Sequence, residues 1–470
     1  MHMSILSLLF AAVPTLSKPG ANFKITKETA ETHQCGDACY NVLQVTMAAD
    51  RISVGTNFDF DFYAVASNFS ISKPGDLLKL EPVDPASLTV ISGVSVYRIQ
   101  YVSEDLDGSY VPATGYIALP FSLPETGAFP LIAFSHGTVG INHGCAISNG
   151  PRMFDYDNWS ILSKRGYALV ATDYVGLGPN YTDHKYCAFP AHANDLFHSV
   201  TAARQAFGAV LSQQWLSVGH SQGGGAVWKL AEDIDRLAST HHGNSSSSNE
   251  ASNYLGTVAL APATKVIDMA QLAIAQALGS TDIHSSMTAA LLPLLAQGVQ
   301  SVHPSFNASS LLGPALQARM RLADAAQLCV AGVMGLTLDL DLGDLLGAGI
   351  AGFPEADGRL LAAWQDQMAP TNGARARSPV LVVQGLNDTA ILPETSVQAW
   401  EDACAAGSEV HLMLYPKQSH FGVVAAAAPD WLRWVDGRFG GVQSGGKCTK
   451  VTKKAFDYKY AKAEPDAPTL

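Results

Sequence analysis

The stretch LSVGHSQGGG, residues 216–225, sets four glycines around Ser221 directly after a short apolar run. Within it, Gly219-His220-Ser221-Gln222-Gly223 reads G-x-S-x-G, the signature of a nucleophile elbow. The run WLSVG (215–219) before it reads as a strand and residues 223–237 after it as a helix, which is the strand–turn–helix context that such a turn requires. A serine held at the tip of so sharp a turn leaves no room for neighbouring side chains, and glycine at 219 and 223 removes the collisions.

Continuous apolar runs recur on both sides of this stretch, at 130–135 (PLIAFS), 167–173 (YALVATD), 256–261 (GTVALA), 379–385 (PVLVVQG) and 410–416 (VHLMLYP). Helical segments fall between them, at 155–165, 194–208, 394–406 and 429–435. Uninterrupted apolar strands alternating with helices predict an α/β fold, a mostly parallel central sheet covered on both faces. The alternating VSVYRIQYV (94–102) and the following GYIAL (115–119) predict an antiparallel hairpin at its start.

Between 262 and 370 the alternation gives way to Ala- and Leu-rich sequence, which predicts a large, mainly helical cap inserted into the core. The expected organisation is therefore a leader at 1–17, an N-terminal extension at 18–90 and a first core segment at 91–261. The cap at 262–370, a second core segment at 371–440 and a tail at 441–470 follow. HHGNSSSSNEASN (241–253) reads as an exposed polar loop, and the Lys-rich stretch 447–462 as solvated tail.

The 470 residues carry a formal net charge of −12 and no basic stripe with interleaved aromatics, which argues against a nucleic-acid partner. The opening MHMSILSLLFAAVPTLS reads as a secretory signal peptide, too short to span a bilayer, and no other run is apolar enough to do so. Six N-x-S/T sequons, at Asn68, Asn158, Asn180, Asn244, Asn307 and Asn387, point to a secreted glycoprotein. The seven cysteines lack zinc-ligand spacing, so disulfides are expected, with at least one thiol unpaired or intermolecular.

A serine nucleophile needs a base, and the base an orienting acid. Asp388 follows the strand at 379–385 and His420 follows the last strand, so both emerge on the sheet edge that carries Ser221. His411 and His192 do not follow the last strand, and Glu394 sits where a helix begins and suits its dipole. For the oxyanion hole, the backbone N–H of Gln222 and that of Thr138, in AFSHGTVG after the first apolar run, are the expected donors. His136 reads as structural, and Asp173 as a residue that ties down its own loop. Asp59 and Asp61 have no partner that the sequence identifies.

With SHGTVG, RGYALVATDYVGLG, the elbow, the late Asp and His and the paired late cysteines, residues 70–450 resemble the α/β-hydrolases. More narrowly they resemble the fungal secretory lipases of the yeast lipase A type. The resemblance implies a Ser221–Asp388–His420 triad, an acyl-binding cap and disulfides Cys145–Cys329 and Cys404–Cys448. Cys35, Cys39 and Cys187 remain, with a pairing between two of them open. It implies no metal or organic cofactor, a small-molecule or lipid ester as substrate, and contact with a lipid interface only in passing. The same apparatus also serves acyl transfer, cyclisation or condensation in metabolite synthesis, since fold does not fix function.

Overall fold

The computed structural model describes residues 18–240, 250–278, 287–347 and 355–463; the leader and the Asn244 sequon lie outside the described residues. Ten strands form one sheet: β1 (Leu77–Pro82), β2 (Val94–Glu104), β3 (Tyr110–Pro120), β4 (Phe129–Ser135), β5 (Ala168–Thr172), β6 (Leu211–His220), β7 (Tyr254–Leu260), β8 (Val380–Gly385), β9 (Val410–Tyr415) and β10 (Thr449–Thr452). Their spatial order is β1-β2-β3-β5-β4-β6-β7-β8-β9-β10. Pairs are antiparallel from β1 to β5 and parallel from β5 to β10.

The apolar runs build this sheet because successive side chains leave a strand on opposite faces, and here both faces are covered. Leu131 and Ala133 of β4 and Val380 and Val382 of β8 pack with Phe197 and Trp228, from helices Phe189–Phe207 and Gln222–Thr240. Their neighbours Ile132, Phe134, Leu381 and Val383 pack on the other face with Trp159 and Trp431, from helices Tyr156–Lys164 and Ala428–Phe439. Each buried Val, Leu, Ile or Phe among them contributes roughly 1.5–3 kcal/mol.

Three details differ from the sequence reading. The helix expected at 194 begins at Phe189, because Pro190 in its first turn lacks an N–H that would have had no partner there. The stretch expected as solvated tail supplies β10, which pairs with β9 while all four of its residues stay exposed. Its pairing rests on backbone bonds and on the adjacent Cys404–Cys448 disulfide, so no apolar pattern announces it. Asn158 is buried within the helix Tyr156–Lys164, which closes that sequon to a glycan.

Between β7 and β8 run the helices Val266–Leu278, Leu292–Val302, Pro314–Ala326, Val330–Gly335 and Glu355–Met368. The N-terminal helix Asp37–Val54 packs against this region: Asp50 accepts the N–H groups of Ala331 (2.9 Å) and Gly332 (2.8 Å). The Cys145–Cys329 disulfide fastens the segment after β4 to the same place, and Cys35 pairs with Cys39. Cys187 is the free, buried thiol. Among the described residues no helix is long and apolar enough to cross a membrane.

Candidate active site

β6 ends at His220, and Ser221 stands at φ 59° before the helix Gln222–Thr240. A left-handed serine costs roughly 1–3 kcal/mol and persists only where its surroundings hold it. Here the Ser221 N–H donates to Leu260 C=O, and Ala263 N–H donates to Ser221 C=O, both at 2.9 Å. A Cβ on Gly219 would lie 2.1 Å from Gly223 O, and one on Gly223 would lie 2.0 Å from Ser135 O. The two glycines are therefore demanded by close backbone approach.

Asp388 and His420 follow β8 and β9 at the same edge. Asp388 is buried; its Oδ1 accepts the N–H groups of Ala390 (2.9 Å) and Ile391 (2.7 Å), and its Oδ2 accepts Gln384 Nε2 (3.0 Å). That same Oδ2 lies 2.9 Å from Nδ1 of the buried His420. A carboxylate can only accept, so Nδ1 carries the hydrogen and Nε2 is left with a lone pair. His220 packs its ring 4.5 Å from that of His420 and places Nε2 3.2 Å from His420 O. The residue before Ser221 thus supports His420, which follows β9.

Thr138, Ser221 and Gln222 line one narrow apolar pocket, about 30 Å³ in volume, under the helices Val266–Leu278 and Leu292–Val302. Val266, Met269, Leu292 and Ile391 form much of its wall. Gly137 N–H is already engaged, donating to Asp155 Oδ2 at 2.5 Å. The Thr138 hydroxyl is 3.0 Å from Tyr186 Oη. Cys187 also lines the pocket, and burial pushes its thiol up to about 12.

Several contacts have no sequence signature. Gln222 Nε2 lies 3.1 Å from His192 Nε2 and 3.4 Å from His184 Nε2. His184 Nδ1 is 2.9 Å from Val175 O, which fixes the hydrogen on Nδ1 and makes Nε2 an acceptor for the Gln222 amide. Burial lowers His184 to about 4 and His192 well below its ordinary value, so both rings are neutral acceptors near neutral pH. His136 is buried, with its ring 4.3 Å from Tyr174.

Asp173, expected to tie down its own loop, instead accepts Ser148 N–H (2.8 Å), Ser148 Oγ and Thr114 Oγ1 (both 2.6 Å), joining β3 to the segment after β4. Asp59 pairs with Arg98 on β2 at 2.5 Å. His411 sits 3.1 Å from Glu409, and Glu394 lies in the first turn of the helix Pro393–Ala405. Among the described residues no three His, Cys, Asp or Glu side chains are grouped to hold a metal ion.

Neither a protein-family model nor a curated protein matches the sequence. Among solved structures, the chain is similar to Candida antarctica lipase A in its closed state, with a TM-score of 0.63 and 14% identity over 83% of this chain and 88% of that one. It is also similar to a rice cell wall degrading esterase from Xanthomonas oryzae, with a TM-score of 0.56 and 17% identity over 77% of this chain and 100% of that one. Together with the ten-stranded, mostly parallel sheet and its helical layers, these likenesses give the chain the α/β-hydrolase fold.

Proposed function

We propose that this protein is a secreted serine hydrolase that cleaves carboxylic esters through an acyl-enzyme. The observation that carries the reading is the left-handed Ser221 at a helix N-terminus, on the same sheet edge as the Asp388–His420 pair. His420 Nε2 takes the Ser221 proton as Oγ attacks the ester carbonyl. The N–H groups of Gln222 and Thr138 hold the oxyanion, aided by the positive end of the helix dipole. His420 then protonates the leaving alcohol, and water, deprotonated by the same ring, releases the acid. The three disulfides suit an oxidising compartment and support export.

The apolar pocket beside Ser221 takes the acyl group. Its volume of about 30 Å³ holds little more than a water, so a medium or long chain requires the helices Val266–Leu278 and Leu292–Val302 to separate. The test is hydrolysis of p-nitrophenyl esters from acetate to palmitate, with wild type beside Ser221→Ala. Turnover abolished by the substitution is the expected result. A wild type that is labelled at Ser221 by a fluorophosphonate yet cleaves no ester would overturn the ester reading while leaving the nucleophile in place.

A further inference from the structure

The helix Tyr156–Lys164 begins with an aspartate that does not cap it. Asp155 stands at the N-cap, where a carboxylate ordinarily accepts an N–H of the first turn, yet its side chain makes no such bond. Instead Asp155 Oδ2 accepts Gly137 N–H at 2.5 Å, 18 positions back in the chain, in the loop after β4. The side chain is only 9% exposed. Met153, Phe154 and Asp155 stand at φ 52°, 35° and 42°. Three consecutive left-handed residues persist only where their surroundings hold them, and such strain gathers at functional sites. Phe154 grips the same loop, with its ring 6.0 Å from that of His136, the neighbour of Gly137.

Gly137 is where three loops meet. A Cβ placed on it would lie 3.2 Å from Asp155 Oδ2, 3.5 Å from Ser221 Cβ and 3.6 Å from His220 Nδ1. The buried His220 in turn reaches the loop after β9, with Nε2 3.2 Å from His420 O and its ring 4.5 Å from that of His420. A carbonyl only accepts, so Nε2 carries the hydrogen. Burial lowers His220 to about 4, so the ring is neutral near neutral pH. Its Nδ1 is then a buried lone pair with no hydrogen-bond partner among the described residues. Asp155 Oδ2 lies 3.9 Å from that Nδ1, packed against it with no proton between the two acceptors.

We propose that Asp155 and His220 are a pair of positioning residues that set the spacing between the oxyanion loop, Ser221 and His420. The proposal rests on the ester-hydrolase reading above. Asp155 fixes the backbone of Gly137, which precedes the oxyanion donor Thr138. His220 fixes the backbone of His420, and the two side chains pack on each other beside Ser221. The pair works through backbone bonds and contact and relays no proton. A shift of about 1 Å in either loop is enough to cost a large part of the rate.

The experiment reads kcat and KM for p-nitrophenyl butyrate, and the rate constant for labelling of Ser221 by a fluorophosphonate, in the full-length protein. His220→Phe keeps a ring beside His420 but loses the donor to His420 O, and Asp155→Ala loses the acceptor for Gly137 N–H. Each should lower kcat and the labelling rate constant about 10- to 100-fold, with KM changed less than about twofold. His220→Gln and Asp155→Asn, which keep a donor and an acceptor, should stay within about fivefold of wild type. Because both side chains converge on Gly137, the double variant of His220→Phe and Asp155→Ala should lose less than the product of the two single losses. Gly137→Ala, whose Cβ presses on all three neighbours, should lower kcat with KM held and gives a second readout if Asp155→Ala does not fold. Unchanged kcat and labelling in the single variants, losses that multiply in the double variant, or conservative variants as impaired as the others would overturn the positioning pair and leave the ester reading standing. A wild type labelled at Ser221 that cleaves no ester overturns the ester reading, and the labelling ratios then decide the pair. A wild type neither labelled nor active overturns both.

Discussion

His420 Nδ1 lies 2.9 Å from Asp388 Oδ2, a bond that joins the loops after β8 and β9 although the two residues are 32 positions apart. Both groups are buried, so the bond sets the ring's orientation and tautomer with little competition from water. In Asp388→Asn the amide can present its NH₂ to the ring, which favours the tautomer with Nε2 protonated and useless as a base. We expect kcat to fall on the order of 10³- to 10⁴-fold, read with p-nitrophenyl butyrate. A loss under tenfold would remove Asp388 from the proposed triad.

Gly223→Ala should fail through sterics. Its Cβ would lie 2.0 Å from Ser135 O and 2.4 Å from Ser135 C, both backbone atoms of a central strand. The expected cost is about 3 kcal/mol or more, seen as a lower denaturant midpoint together with lost ester turnover.

The Gln222 side chain is held between two neutral imidazoles, so weakening one should loosen the backbone N–H that the proposed mechanism gives to the oxyanion. His184→Phe keeps a ring in place but removes the acceptor. We expect kcat to drop roughly tenfold, about 1.4 kcal/mol in the transition state, with KM changed less than about twofold. An unchanged kcat would make the His184 contact structural only.

The disulfides should differ in worth according to the chain they close. Cys145–Cys329 spans 184 positions and Cys35–Cys39 spans 4. Loop-closure entropy assigns about 5 kcal/mol to the first and about 2 kcal/mol to the second. Paired Cys→Ser variants compared by urea unfolding check the order, and equal losses would contradict it.

Asp50 should give the protein a pH-dependent weakness. Burial raises its carboxyl to about 7, against the N–H groups of Ala331 and Gly332 that favour the charged form. Between the unfolded value near 4 and about 7 the native state binds more protons, so this group's contribution to stability is full below about 4 and is lost as pH rises through 7. Relative to Asp50→Asn, the wild type should therefore lose on the order of 2 kcal/mol between pH 5 and pH 8, measured by urea unfolding at each pH. A difference between the two proteins that does not change with pH would rule this out.

The chain's local patterns made much of the fold legible. Six apolar runs became β4 to β9, because strands buried on both faces must be apolar throughout. The elbow was legible for a similar reason, since a turn this tight excludes side chains and leaves glycines at fixed positions. β1 and β10 were not legible. Both are edge strands, with the residues of β10 all exposed and those of β1 at most half-buried, and their pairing resides in backbone groups that every sequence shares.

The placement of Ser221, Asp388 and His420, each just beyond an apolar run, was legible in the chain because composition and spacing act over a few residues. What surrounds them depends on the assembled fold. That assembly brought Asp155 to Gly137, His184 and His192 to Gln222, and the N-terminal helix to the helices between β7 and β8. Those contacts join residues 18 to 281 positions apart, and they depend on complementary shapes and unfilled donors and acceptors that exist only once the sheet has assembled.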